Sequence, residues 1–438
     1  MTMQNKLNLI AAKAKEDAKL KFTSLVHLIN VENLRQCYRE LKRNKACGID
    51  EMTVGSYGEN LEARLNLLIE NMKAGRYQPQ PVRRAYIPKS GTDEKRGLGI
   101  PTVEDKLVQL MLKKILESIY EADFLDCSYG FRAGRNCHQA VKTLDETVMT
   151  KPVNYLVEVD IRKFFDNVQH SWLVRCLEER IRDPKILGLI KRFLKAGVIN
   201  GGQYEATKQG TPQGGVISPL LANIYLHYVL DLWFEKKVKP GAKGVMKLIR
   251  YCDDFVVCCE SESDANGLLP ALKQRLMKFG LSIAEEKTRI IRCGRRGWQE
   301  LEKQGKKAES FNFLGFTHYA RKSRRGKWIM GHKTSKENLA RKLKETSQWL
   351  KAIRNSISLK DWWTVLKAKL TGHFNYFGIS GNYRGINQFR QRVISLVYKW
   401  INRRSQKKSM TREKFNLYID RYPLPAARIC YSLYQFNL

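Results

Sequence analysis

Two apolar runs of strand length, each interrupted by carboxylates, constrain this chain more than any other feature. Residues 153–161 form an apolar run that closes on Asp160. Residues 245–259 read as two short apolar arms around Tyr251-Cys252-Asp253-Asp254. Runs of this length and composition are strands, and two arms joined by a tight turn are a hairpin. A carboxylate at the end of a buried strand is costly unless something positive compensates it. Singly, each site has an ordinary explanation: good turn chemistry for Asp253-Asp254, and a helix N-cap for Asp160. Together, with a Gly-rich segment between them, they predict that carboxylates from two elements meet and share hard divalent cations, as an oxygen-ligand magnesium site requires.

Charge narrows the partner. The 438 residues carry 79 Lys+Arg against 43 Asp+Glu, a net charge of +36. That excess implies a polyanion, with nucleic acid first, against a merely solvated basic surface of ribosomal type. The excess is uneven, with 27 Lys/Arg and 5 Asp/Glu from Arg321 onward, so the C-terminal part is expected to hold much of the polyanion. Two metal ions roughly 4 Å apart beside nucleic acid can activate a primer 3′-hydroxyl and stabilise a leaving pyrophosphate. That chemistry belongs to a polymerase.

An apolar content of 43% supports two or three domains and excludes disorder, collagen and small disulfide scaffolds. The ten cysteines lack paired CxxC spacing. Cys252, Cys258 and Cys259 fall in strand-like sequence and read as reduced core residues, not as a disulfide set or zinc site. Residues 1–21 have no signal-peptide pattern, and no run is long enough to cross a bilayer. The expectation is a soluble cytoplasmic protein with no membrane partner.

Apolar positions at helical spacing predict a helical N-terminal extension that stops at Gly48. A turn-rich stretch at 78–101 follows, with short strand-like runs and the cations Arg83, Arg84, Lys89, Lys95 and Arg96. Helical patterns occupy 106–120, 137–148 and 170–181. A Gly/Thr/Gln/Pro segment at 201–219 leads into one long buried helix at 220–234. A helix at 264–279 and a hairpin-like region up to Tyr319 complete an α/β domain with an antiparallel sheet. Past Thr334 the pattern is helical, with Trp349, Trp362, Trp363, Leu366 and Leu370 as buried candidates and basic side chains between them.

An ordered series of blocks resembles the group II intron-encoded reverse transcriptases over almost the whole chain. It begins with Ile87-Pro88-Lys89, Leu98-Gly99-Ile100-Pro101 and Ser128-Tyr129-Gly130-Phe131-Arg132, and continues through Asp160-Ile161-Arg162-Lys163-Phe164-Phe165-Asp166. Next come Gly210-Thr211-Pro212-Gln213-Gly214-Gly215, Ser218-Pro219-Leu220-Leu221-Ala222-Asn223 and Tyr251-Cys252-Asp253-Asp254. Glu286-Lys287-Thr288 and Phe313-Leu314-Gly315-Phe316 close it. Gly372-His373-Phe374-Asn375-Tyr376-Phe377 and Trp400-Ile401-Asn402-Arg403-Arg404 look like that family's thumb or maturase domain. The seven or more blocks in order are specific; the Asp-Asp turn alone is weak.

The resemblance implies an α+β right-hand polymerase: fingers and a palm with an antiparallel sheet, followed by an α-helical thumb. The implied divisions are a helical extension at 1–50, fingers and palm at 51–320, a thumb at 330–405, and a short basic segment at 406–438, a vestigial DNA-binding region. Asp160, Asp253 and Asp254 would be catalytic and, with Ile161, would hold two Mg2+ ions, with Mn2+ as a substitute. Lys89, Arg96, Arg132, Phe164, Phe165 and Gln213 would bind the incoming dNTP, one of the two phenylalanines excluding a ribose 2′-hydroxyl while the other belongs to the core. Tyr251, Cys252, Lys287, Leu314 and Gly315 would meet primer and template, and Arg83, Arg84, Arg403 and Arg404 would bind RNA. A minority of the C-terminal aromatics would stack on bases.

The implied activity is RNA-directed DNA synthesis that copies intron RNA into cDNA during retrohoming, together with RNA binding that assists splicing. The implied partners are group II intron RNA, an RNA template with DNA primer, target DNA and dNTPs, in a bacterial cytosol or at the nucleoid; monomer and dimer both stay open. Two other readings stand beside it: a domesticated relative acting in DNA repair or phage defence, and a splicing-only RNA-binding maturase. One residue departs from the family pattern, since Cys252 stands where Ala is usual; it is small and apolar, so activity should survive. No cysteine-pair metal site follows the thumb before Leu438, so no nuclease appendage of the His-Asn-His type is expected.

Overall fold

In the computed structural model, which describes residues 2–88, 95–404 and 410–433, both carboxylate-bearing apolar runs are strands. In chain order the strands are β1 (Val82–Pro88), β2 (Lys95–Ile100), β3 (Tyr155–Asp160), β4 (Val198–Asn200), β5 (Gln203–Glu205), β6 (Met246–Tyr251), β7 (Asp254–Cys259), β8 (Arg289–Arg292), β9 (Phe311–Phe313), β10 (Phe316–Lys322) and β11 (Trp328–Thr334). They form three sheets, ordered β2-β1-β4-β5, β6-β7-β3-β8 and β11-β10-β9. The architecture is mixed α+β with antiparallel hairpins and a helical C-terminal region. The chain divides into two compact units.

The first unit takes in the described residues up to Cys137 and Val157–Ile290. Helix Val103–Tyr120 runs through it, capped by Thr102 Oγ1, which accepts from the Asp105 amide, and opened by the acidic Glu104 and Asp105, as the helix dipole favours. Its buried residues occupy most faces, among them Leu107, Val108, Met111, Leu112, Ile115 and Ile119, and a partly exposed stripe carries the Lys113–Glu117 ion pair. β1 and β2 pair antiparallel, with Arg83 opposite Ile100 and Ile87 opposite Arg96.

The long helix expected at 220–234 is interrupted. Helix Ser218–Leu226 passes into π-turns at His227–Asp231 and Phe234–Val238. The register widens where two polar side chains, His227 and Asp231, are buried. Hydropathy marks burial but not a local change from 3.6 residues per turn, so the sequence reads straight through it.

The second unit takes in His138–Leu156 and Ile291–Leu438. Ser335, Ser358 and Thr411 cap helices Lys336–Ile353, Leu359–Phe377 and Arg412–Arg421. With helix Tyr383–Ile401 they bury Trp362, Leu366, Leu370, Phe374, Ile386, Phe389, Val393 and Val397, a repeat of three and four residues. Trp363 is in that core and Trp349 is only partly buried. A short helix, Gly294–Lys303, stands in the region read as hairpin-like; its buried residues are Gly294, Gly297 and Trp298, too few for a periodic signal. Among the described residues no helix is long and apolar enough to cross a membrane. Among the described residues no disulfide forms, and Cys252, Cys258 and Cys259 are buried.

Candidate active site

β3 and β7 are hydrogen-bonded neighbours in the central sheet of the first unit. Asp160 ends β3 and Asp254 begins β7, directly after the two-residue turn of Cys252 and Asp253. Tyr251 pairs with Asp254 across that turn. The charges of the two elements act on one another. Burial lifts Asp253 above the usual carboxylate range, and the Asp160 charge adds to the rise; hydrogen bonds from its own amide and the Cys252 side chain oppose it, as does the Arg96 charge. Asp254 is exposed, and Asp160 is partly so.

Among the described residues no three His, Cys, Asp or Glu side chains form a ready-made metal cage. Mutually repelling carboxylates on a half-open turn suit a divalent cation whose remaining sphere is filled by water and substrate phosphate, the normal habit of magnesium. Ile161 is buried and can offer only its main-chain carbonyl. The Asp160 carbonyl already accepts the Ala284 amide at 2.7 Å, which leaves its carboxylate for a metal.

Lys287 Nζ donates to Asp160 Oδ2 at 2.7 Å. Two further ion pairs tie the same segment to β3 and the turn after it: Arg162 to Glu286 at 3.0 Å and Arg289 to Glu158 at 2.8 Å. Lys287 was expected at the primer and template; the structure seats it on the first carboxylate. Arg162, two residues after Asp160 in sequence, pairs with Glu286.

The Gly-rich loop lies on the Phe164–Asn167 turn. Thr211 N–H donates to the Phe165 carbonyl at 2.7 Å. Gly210 has φ +86°, and a Cβ there would stand 2.8 Å from the carbonyl oxygens of Phe165 and Asp166, so only glycine fits. The Gln213 carbonyl accepts the Gly99 amide, and Gln109 Oε1 accepts the Val216 amide at 2.8 Å. Gln213 itself is half-buried. The two phenylalanines separate by burial: Phe164 is 1% exposed and packs on Tyr225, whereas Phe165 is only partly buried.

Arg96 is exposed on β2, and Lys89 lies outside the described residues. Arg132 is buried. Its Nε and Nη2 donate to Glu121 Oε1, and its Nη1 donates to the carbonyls of Leu125 and Ser128, so four of its five N–H groups face protein. Tyr251 is half-buried beside Phe131, with ring centroids 6.1 Å apart. Arg83 forks onto the Cys47 carbonyl at 3.0 and 2.7 Å, and Arg84 lies against Gly97.

In the second unit Leu314 and Gly315 make a two-residue hairpin turn between Phe313 and Phe316, with φ +51° and +82°. Tyr376 Oη donates to the Leu314 carbonyl at 3.1 Å. Arg403 and Arg404 hold their guanidinium groups over Trp400 and Trp362, at 5.6 and 5.7 Å from the ring centroids. Of the C-terminal aromatics, Tyr376 and Tyr383 are exposed while Trp362, Phe374, Phe377 and Phe389 are core.

Sequence reading passed over Arg250 and Asp231. Arg250 is wholly buried in an ion pair with Asp231. Its position immediately before Tyr251 was a signal; Asp231, alone in an apolar helix, was the other.

Residues 87–318 match the family described as reverse transcriptase (RNA-dependent DNA polymerase). The group II intron-encoded protein LtrA of Lactococcus lactis is 31% identical over 87% of this chain and 75% of its own length. Protein YkfC of Escherichia coli is 35% identical over 58% of this chain and 74% of its own. The nuclear intron maturase 1, mitochondrial, of Arabidopsis thaliana is 35% identical over 22% of this chain and 13% of its own.

Proposed function

The chain belongs to the reverse transcriptases, among the group II intron-encoded proteins, and we propose that Asp160, Asp253 and Asp254 are the carboxylates through which it extends a DNA primer on an RNA template. It is an RNA-directed DNA polymerase that assists intron splicing and retrohoming. Reverse transcription depends on a divalent metal; magnesium, as a pair of ions, is the choice that hard oxygen donors favour. The observation that carries the assignment is the pairing of β3 with β7, which gives Asp160 and Asp253 a shared electrostatic environment.

When bound, the metal supplies Lewis-acid activation of the primer hydroxyl and charge neutralisation on the departing pyrophosphate. The protein does the rest. Asp160, Asp253 and Asp254 hold the cations against their own repulsion, and Arg96, whose charge already reaches Asp253, faces the negative triphosphate. Phe165, the less buried of the two phenylalanines, is the candidate to lie beneath the incoming sugar and exclude a 2′-hydroxyl. The loop 210–215, pinned to Phe165 and Gly99, lets backbone approach the templating pair closely. Arg403 and Arg404 of the second unit contact RNA phosphate, with the basic excess of that unit behind them. Intron RNA and, during retrohoming, target DNA are the natural polyanions.

Primer extension on an RNA template with magnesium tests this. Synthesis by the wild type that disappears in Asp253→Asn supports it. Absence of synthesis with either magnesium or manganese leaves only an RNA-binding role.

A further inference from the structure

We infer that Arg250 is a positioning residue for DNA synthesis: held by Asp231, it locks the left-handed backbone of Cys252 and thereby fixes where Asp253 and Asp254 stand. The inference rests on the polymerase reading above and concerns what keeps that site in shape.

Arg250 has no exposed surface, and all five of its N–H groups are bonded. Nε donates to Asp231 Oδ1 at 2.7 Å and Nη2 to Asp231 Oδ2 at 2.5 Å, a bidentate pair. Nη2 also donates to Ser128 Oγ at 2.8 Å. Nη1 donates to Asn223 Oδ1 and to the Cys252 carbonyl, both at 3.0 Å. With no donor left over, the guanidinium cannot bind substrate; it can only hold protein.

What it holds needs holding. Cys252 has φ +58°, a region that strains a residue with a Cβ and persists only where surroundings enforce it. The enforcement closes on itself. Asn223, which accepts from Arg250, donates its Nδ2 to the Gly130 carbonyl at 2.6 Å. Gly130 in turn packs on the Cys252 amide so tightly that a Cβ would stand 2.5 Å from it. Arg250, Asn223, Gly130 and Cys252 therefore form a closed ring around the turn. The backbone adds to it, since the Arg250 amide donates to Cys127 and the Tyr129 amide donates to Arg250, each at 2.8 Å. Asp231 sits at the end of the π-turn His227–Asp231, a departure from helical geometry that recurs at functional sites.

Stability is a poor reason for such a pair. Removing a guanidinium and a carboxylate from water is costly, and an apolar pair of similar volume is often as stable or more so. Geometry is the better reason, because small displacements of reacting groups can lower a rate about 100-fold.

The test is steady-state primer extension on poly(rA)/oligo(dT) with magnesium, alongside thermal melting, for Asn223→Ala and for the double variant Arg250→Met with Asp231→Leu. Asn223→Ala loosens the ring without stranding a charge; the double variant removes both charges together. Each is expected to melt within a few degrees of the wild type and to lower kcat about 10- to 100-fold, while KM for dTTP stays within about threefold. A folded variant with wild-type kcat overturns the inference. So does a loss of rate that follows the folded fraction alone. If the double variant does not fold, Asn223→Ala decides. A wild type that makes no DNA overturns the polymerase reading itself, and is seen before any variant is compared.

Discussion

Lys287 places its ammonium 2.7 Å from Asp160 Oδ2, on a carboxylate proposed above as a metal ligand. The lysine side chain is 66% exposed and the aspartate 41%, so the pair contributes at most about 1 kcal/mol to the fold. Its consequence is competition, since one oxygen cannot serve an ammonium and a divalent cation equally well. Lys287→Gln is expected to lower the magnesium concentration needed for half-maximal primer extension by a few-fold while leaving the melting temperature within about two degrees. A magnesium titration with a parallel melt checks both.

Asp253 carries a different burden. Burial and the Asp160 charge both disfavour its ionised form, so its charge is a cost to the metal-free fold. Asp253→Asn should abolish DNA synthesis, by at least about 100-fold, and should melt at or above the wild-type temperature in the absence of divalent metal. A variant that loses activity through unfolding would melt lower.

Phe164 and Phe165 are adjacent and should behave oppositely. Phe164→Ala empties a site that is 1% exposed and is expected to cost about 3–5 kcal/mol, read by urea unfolding. Phe165→Ala should cost far less and should raise incorporation of ribonucleotides relative to deoxyribonucleotides, measured by competition at a single template position.

Acid should destabilise both units. Burial pushes His227, in the first unit, and His373, in the second, down to about 4, and His318 lies well below its ordinary value for the same reason. An unfolded histidine takes its proton near pH 6.5. Between about pH 6.5 and 4 the unfolded chain thus binds more protons than the folded one, so stability falls as pH falls through that window. Each such histidine contributes a slope of up to about 1.4 kcal/mol per pH unit. Unfolding midpoints at pH 7.5 and 5.0 measure it, and His373→Phe, which removes a buried imidazole stacked 3.7 Å from Phe389, should flatten the slope by about one proton.

Binding of structured RNA is expected to weaken steeply with salt, on the proposal that the cations of the second unit meet phosphate. Arg403→Ala and Arg404→Ala are each expected to reduce the slope of log K against log salt by about one, measured by filter binding between 50 and 300 mM potassium chloride. A slope near zero in the wild type would remove phosphate contact as the basis of binding.

The sequence by itself determined the elements and the chemistry on them. Apolar run length set β3, β6 and β7, and Asp160, Asp253 and Asp254 stood out because a carboxylate is conspicuous at the end of an apolar strand. Helical periodicity marked Trp362, Leu366 and Leu370 as core, and the ordered blocks named the family. These are local signals, carried by residues near one another in the chain. Tertiary structure decided everything that depends on which distant groups touch. It put Lys287 on Asp160, turned the Arg132 donors inward, sorted Phe164 from Phe165, and closed Arg250 onto Asp231, Asn223 and Ser128. Such partners lie anywhere from 4 to 127 residues apart, and hydropathy scores a buried, fully bonded arginine the same as one in water. Pairing of that kind has no period to read; only the folded chain supplies the partner.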